Sequence, residues 1–134
     1  MRSPLTISTD ISRAAPGTLS ILGHEELIAV NQDPLSTPAR LIEQRHLAST
    51  SSFEAWVGPL YGNCSVALIV NLLDSSPLRK RLQFSADLGL PSTTVAVRNL
   101  WERKDLGTMH GAIDVEVAEA HDCALYKLCP LPVH

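Results

Sequence analysis

The stretch Ala112-Ile113-Asp114-Val115-Glu116-Val117-Ala118 decides the architecture. Ile113, Val115 and Val117 alternate with the acids Asp114 and Glu116. On a strand, this spacing puts the apolar side chains on one face and the carboxylates on the other. One dry face and one wet face is the pattern of an antiparallel sheet packed on one side. The run from Leu78 to Phe84 reads in the same way.

Working outward, strands are predicted over residues 39–48, 53–60, 64–73, 78–86, 93–100, 112–118 and 122–128. Turn signals lie at Tyr61-Gly62-Asn63, Asp74-Ser75-Ser76-Pro77, Gly89-Leu90-Pro91 and Asp105-Leu106-Gly107. Several short strands with this punctuation indicate an antiparallel β-sandwich. The residues expected to face its core are Val66, Leu68, Val70, Leu82, Phe84, Val95, Val97, Ile113, Val115, Val117 and Leu125. Trp101 is expected to pack there rather than to serve as a sugar platform.

Before Pro38 the pattern differs. Residues 4–10 read as a short buried strand with Leu5 and Ile7 apolar, and Pro4 fits only at its start. Pro16 suits a first helical turn and Gly23 a helix end. A second helix is expected over residues 25–30. Asn31-Gln32-Asp33-Pro34 ends it, because the residue before proline is driven out of the helical region. Pro34 and Pro38 frame a connector.

Composition bounds the function. The chain has 134 residues, 45% hydrophobic and 19% charged, which is globular composition. A net charge of −3 and an aromatic content of 4% point away from nucleic acid as a partner. No apolar run reaches the roughly 20 residues of a membrane-spanning helix, so no membrane partner is expected. Residues 1–10 lack the pattern of a secretory leader, so the chain taken literally is expected to stay where it is made.

The chemistry-bearing residues form no motif. The 14 acids lie mostly on alternating wet faces or in turns. The 5 histidines show no metal-type spacing, and neither a phosphate loop nor a nucleophile elbow is present. No cofactor or metal is expected. Three cysteines, Cys64, Cys123 and Cys129, leave open whether one pair bridges or all are thiols. Asn63-Cys64-Ser65 is an N-glycosylation sequon in a predicted turn.

Two blocks in the right order carry a resemblance. Ser3-Pro4-Leu5, Ser8-Thr9-Asp10 and Glu26-Leu27-Ile28-Ala29-Val30-Asn31-Gln32-Asp33-Pro34-Leu35 look like the glycoside hydrolase family 27 α-galactosidases. Val97-Arg98-Asn99-Leu100-Trp101 with Lys104-Asp105-Leu106-Gly107, and Phe53-Glu54-Ala55-Trp56 with Pro59-Leu60, resemble that family's C-terminal β-domain. The resemblance implies that residues 1–35 are the end of a (β/α)8 barrel, its eighth strand and helical return, and that residues 36–134 are the antiparallel β-sandwich. It implies removal of terminal α-linked galactose with retention, by two aspartates on earlier barrel strands. Neither maps onto this chain, so no catalytic residue is assigned and the chain alone is expected to be inactive.

Asp10 matches an aspartate of the family that is not one of those two. It is expected to close the strand-to-helix turn, and the family's Arg two residues later is Ser12 here, with Arg13 displaced. Asn31-Gln32-Asp33 is expected to fix the barrel to the β-domain. Met1 matches interior sequence of the family. An α-galactoside is the expected substrate of the full-length family, whose members are expected to be secreted or lysosomal. Self-association of the isolated chain is expected through the barrel remnant. The competing reading is a free-standing β-sandwich module that binds carbohydrate or protein.

Overall fold

The computed structural model describes residues 7–47 and 50–131. A 3-10 turn at Ile11–Arg13 precedes two short helices, α1 (Pro16–Leu22) and α2 (Glu25–Asn31). Eight strands follow: β1 (Arg40–Leu47), β2 (Thr50–Leu60), β3 (Cys64–Asn71), β4 (Leu78–Gln83), β5 (Thr94–Asn99), β6 (Lys104–His110), β7 (Ala112–Val117) and β8 (Cys123–Pro130). Six form one antiparallel sheet in the order β1-β2-β3-β8-β5-β6, and β4 and β7 form a separate ribbon.

The core lies between sheet and ribbon. Leu78, Leu82, Ile113, Val115 and Val117 come from the ribbon. Phe53, Ala55, Val57, Ala67, Ile69, Val95, Val97, Tyr126 and Leu128 face them from the sheet. On the wet side of the ribbon, Arg79 pairs with Glu116 and Arg81 with Asp114 across the strands, as the alternation requires. Asn71 is fully buried at the end of β3. Its amide donates to the carbonyls of Ser76 and Glu119, both at 2.9 Å, and its carbonyl accepts from Leu73 N at 3.0 Å. A buried amide with its groups bonded ties two loops to the strand at little desolvation cost.

The register of β3 and β8 is the reverse of the expected one. Ala67 and Ile69 face the core, while Leu68 and Val70 are half-buried on the opposite face. Val66 is buried, but in a second cluster with Leu60 and Leu100 on that outer face, against which Leu27, Val30 and Leu125 pack. The run Val66-Ala67-Leu68-Ile69-Val70 is apolar on both faces, so alternation cannot choose its inner one. The choice follows from α2, which covers part of the outer face and leaves the small Ala67 turned inward.

Asp105-Leu106-Gly107 is part of β6 and not a turn. This strand runs along the sheet edge with most residues exposed, so it carries no apolar alternation to read. Gly107 has φ +83°, and the β5–β6 register shifts between Val97 and Arg98, opposite it. A residue in this conformation at a register shift is a β-bulge, and glycine adopts it without strain. Of the strand expected over residues 4–10, positions 4–6 lie outside the described residues, and Ile7–Asp10 join no sheet among the described residues.

Candidate functional site: the seam between helices and sandwich

Several polar residues that link distant parts of the chain gather where α2 meets the sheet. Glu26 lies in the first turn of α2, where a carboxylate is favoured by the helix dipole. Arg98 projects from β5 and donates to both Glu26 oxygens, from Nε at 2.9 Å and Nη2 at 2.7 Å. Its Nη2 also donates to the carbonyl of Arg103, and its Nη1 lies 2.9 Å from Asp105. Hydrogen bonding by the Arg98 guanidinium, with burial opposing it, holds the Glu26 carboxyl below the usual carboxylate range. The same pairing raises Arg98 further above neutrality. The two-point bond from β5 to the first turn of α2 docks the helix on the sheet.

Asp33 makes the second link. Its carboxylate accepts from Leu35 N at 3.0 Å and from Tyr61 N at 2.9 Å, tying the connector to the β2–β3 turn. Glu26, Val30, Asp33, Leu60, Arg98 and Lys127 line a cleft of about 320 Å³ at this seam.

His24 caps the third side. It is buried at the start of α2, sets its ring edge-on to Trp101 at 5.7 Å, and places Nε2 3.4 Å from the Trp101 carbonyl. Its Nδ1 has no partner among the described residues. Trp101 itself is 36% exposed, contrary to the expected core position. Its place in the β5–β6 turn and its ring contact with His24 hold it at the surface, where it borders a groove of about 470 Å³ with Ile21, Asn99, Asp122, Cys123 and Tyr126.

Asn63 is exposed in the β2–β3 turn with φ +61°. Cys64, the middle residue of the sequon, is bonded to Cys129, with Cα atoms 4.2 Å apart. Ser65 and Leu128 are partners on β3 and β8, so the next pair outward is Cys64 and Cys129, and the disulfide staples the two central strands. Cys123 stays a thiol, pushed up by burial. Asp10 accepts from Ser12 N at 3.0 Å and Oγ at 2.6 Å, and Arg13 lies 3.6 Å away with its side chain exposed. It caps the 3-10 turn at Ile11–Arg13, with no strand before it among the described residues, and the displaced arginine still reaches it. Among the described residues, no group of three His, Cys, Asp or Glu could hold a metal. The Glu26–Arg98 pair was invisible in the sequence because 72 positions separate its members, and the two family-like blocks that hold them do not show that they meet. The disulfide was equally hidden until β3 and β8 were known to be neighbours.

Residues 50–128 match the family described as the alpha galactosidase C-terminal β-sandwich domain. Alpha-galactosidase 3 of Arabidopsis thaliana is 37% identical over 135 residues, covering 99% of this chain and 30% of its own length. The alpha-galactosidase of Cyamopsis tetragonoloba is 35% identical over 96% of this chain and 30% of its own. The crystal structure of alpha-galactosidase I from Mortierella vinacea superimposes with a TM-score of 0.83 at 28% identity, over 96% of this chain and 32% of that one. The chain thus spans about a third of the length of the relatives it matches. It belongs to the α-galactosidase family, of which it is a C-terminal part carrying the β-sandwich domain.

Proposed function

We propose that residues 36–134 serve as the C-terminal β-sandwich of an α-galactosidase, that residues 1–35 complete its (β/α)8 barrel, and that the 134-residue chain by itself hydrolyses no galactoside. The observation that carries this reading is the asymmetry of the two helices. α2 docks on the sandwich through Glu26, Leu27 and Val30, whereas Ile11, Leu19 and Ile21 remain exposed at 59%, 42% and 57%. Apolar side chains placed beside a docked helix suit a covered surface, and a barrel would cover this one. In an isolated chain, the same surface favours self-association. Asp10 and Asp33 cap turns, and Glu26, Asp105, Asp114 and Glu116 pair with arginine, roles that differ from the two bond-flanking carboxyls that glycoside hydrolysis demands.

The test is the purified chain with an aryl α-galactoside, beside the same chain joined to the barrel of a plant relative. The chain alone should release nothing above the buffer rate, and the joined protein should be active. Turnover by the chain alone at roughly 1 per second or faster would overturn the reading.

One observation favours a second reading, a free-standing carbohydrate-binding module. Trp101 stands at the surface beside a groove that also holds Tyr126 and Asn99. Titrating galactose or an oligosaccharide while following tryptophan fluorescence in a Trp56→Phe variant separates the two, since a binding module saturates and a purely structural domain does not.

A further inference from the structure

We propose that Asn63 is an N-linked glycosylation site, and that closure of the Cys64–Cys129 disulfide ends its competence as an acceptor. Asn63-Cys64-Ser65 is the chain's sole Asn-Xaa-Ser/Thr triplet. The structure adds three observations that the triplet alone does not contain.

First, Asn63 is exposed at a turn beside Tyr61, itself 68% exposed, so a bulky group there meets solvent rather than core. Second, Cys64 is oxidised. Disulfides form and persist in oxidising compartments, which are those where N-glycans are attached and displayed. Third, the two residues after Asn63 are locked by the fold. Cys64 is tied to Cys129, and the half-buried Ser65 is paired with Pro59 on one side and Leu128 on the other. A transferase must hold the carboxamide and the serine hydroxyl together in its own site. A triplet whose second residue is cross-linked and whose third lies in a central ladder cannot be lifted out for this.

Modification therefore belongs to the interval before β8 joins β3. Cys129 follows Cys64 at a sequence separation of 65, an interval of roughly 3–13 s at ordinary rates of synthesis. In the transfer, Asn63 Nδ2 attacks the anomeric carbon of an oligosaccharide carried on a lipid diphosphate. A C–N bond forms, the C–O bond to the diphosphate breaks, the lipid diphosphate leaves with the electron pair, and the amide proton passes to a base of the transferase. In the competing step, the Cys64 and Cys129 thiols lose two protons and two electrons to a protein disulfide of the same compartment, which is reduced to a dithiol. The finished glycan and the disulfide are compatible, because Asn63 is exposed; only the order of the two steps is constrained.

The test expresses the chain behind a secretion leader in a eukaryotic cell as wild type, Asn63→Gln, Ser65→Ala and Cys129→Ser. Lysate and medium are both sampled, so a variant that does not fold is still scored. Chain mass is read before and after an amidase that removes N-glycans and leaves Asp at position 63. We expect partial occupancy in wild type, none in Asn63→Gln and Ser65→Ala, and a higher occupied fraction in Cys129→Ser. Absence of glycan from wild type and Cys129→Ser, while a control glycoprotein in the same cells is modified, would overturn the site. Equal occupancy in wild type and Cys129→Ser would overturn the competition.

Discussion

At the scale of single residues, side-chain direction decides consequence. Val115 is buried between ribbon and sheet, whereas its neighbour Glu116 points outward to an exposed Arg79. Burial of a valine is worth about 1.5–3 kcal/mol, and an exposed ion pair contributes little. Val115→Ala should therefore lower the urea midpoint clearly at unchanged m-value, and Glu116→Ala should barely move it. Equal shifts would place the ribbon in the wrong register. Glu26 yields a prediction in pH. Its carboxyl is lowered in the folded chain by hydrogen bonding from Arg98. The folded form thus binds the proton less readily than the unfolded form does, and the docking contribution is complete above the ordinary carboxylate value of about 4.3 and fades as pH falls below it. Amides of α2 should lose hydrogen-exchange protection in acid before those of β3. In Glu26→Gln their protection should start lower and vary less with pH. An unchanged acid profile in that variant would detach α2 docking from this pair.

At the scale of elements, one-faced strands and capped helices were legible and two-faced or edge strands were not. The two faces of β7 could be read because Asp114 and Glu116 mark its wet side. The expected helices correspond closely to α1 and α2, since Pro16, Gly23 and Pro34 act locally. β3 and β8 were located but turned over, because Val66 and Leu125 are apolar for a reason outside their own strands: they share the outer cluster against which α2 packs. β6 was missed because an exposed edge strand has no buried face to announce it, and its Gly107 resembles a turn signal. The same glycine makes β6 sensitive. Its φ of +83° leaves space for a side chain but strains any residue that has one. Gly107→Val should cost about 1–3 kcal/mol, measured by thermal or denaturant unfolding. A neutral effect would show that the bulge can relax into regular pairing.

At the scale of the whole molecule, the disulfide and the sheet order act together. Cys64 and Cys129 close a loop at a separation of 65 residues, which restricts the unfolded chain by about 2–4 kcal/mol. Reduction should lower the unfolding midpoint by a corresponding amount without abolishing the sheet, whose core lies on the other face from the sulfurs. A reduced chain as stable as the oxidised one would mean that the unfolded state is already compact. The candidate seam was legible only in its local parts. Asp33 stands out beside Pro34, while Glu26, Arg98 and His24 acquire their roles from neighbours far away in sequence. The strand order has a further consequence, in terms of genetic lesions. β8 comes last in the sequence yet lies between β3 and β5, and it alone joins β1-β2-β3 to β5-β6. A stop codon or frameshift before Cys123 would spare seven of the eight described strands and still split the large sheet into two pieces with raw edges. An in-frame loss at β6 would remove only a border strand. Damage to this domain should therefore be graded by a codon's place in the sheet, and lesions at β8 should rank among the most severe.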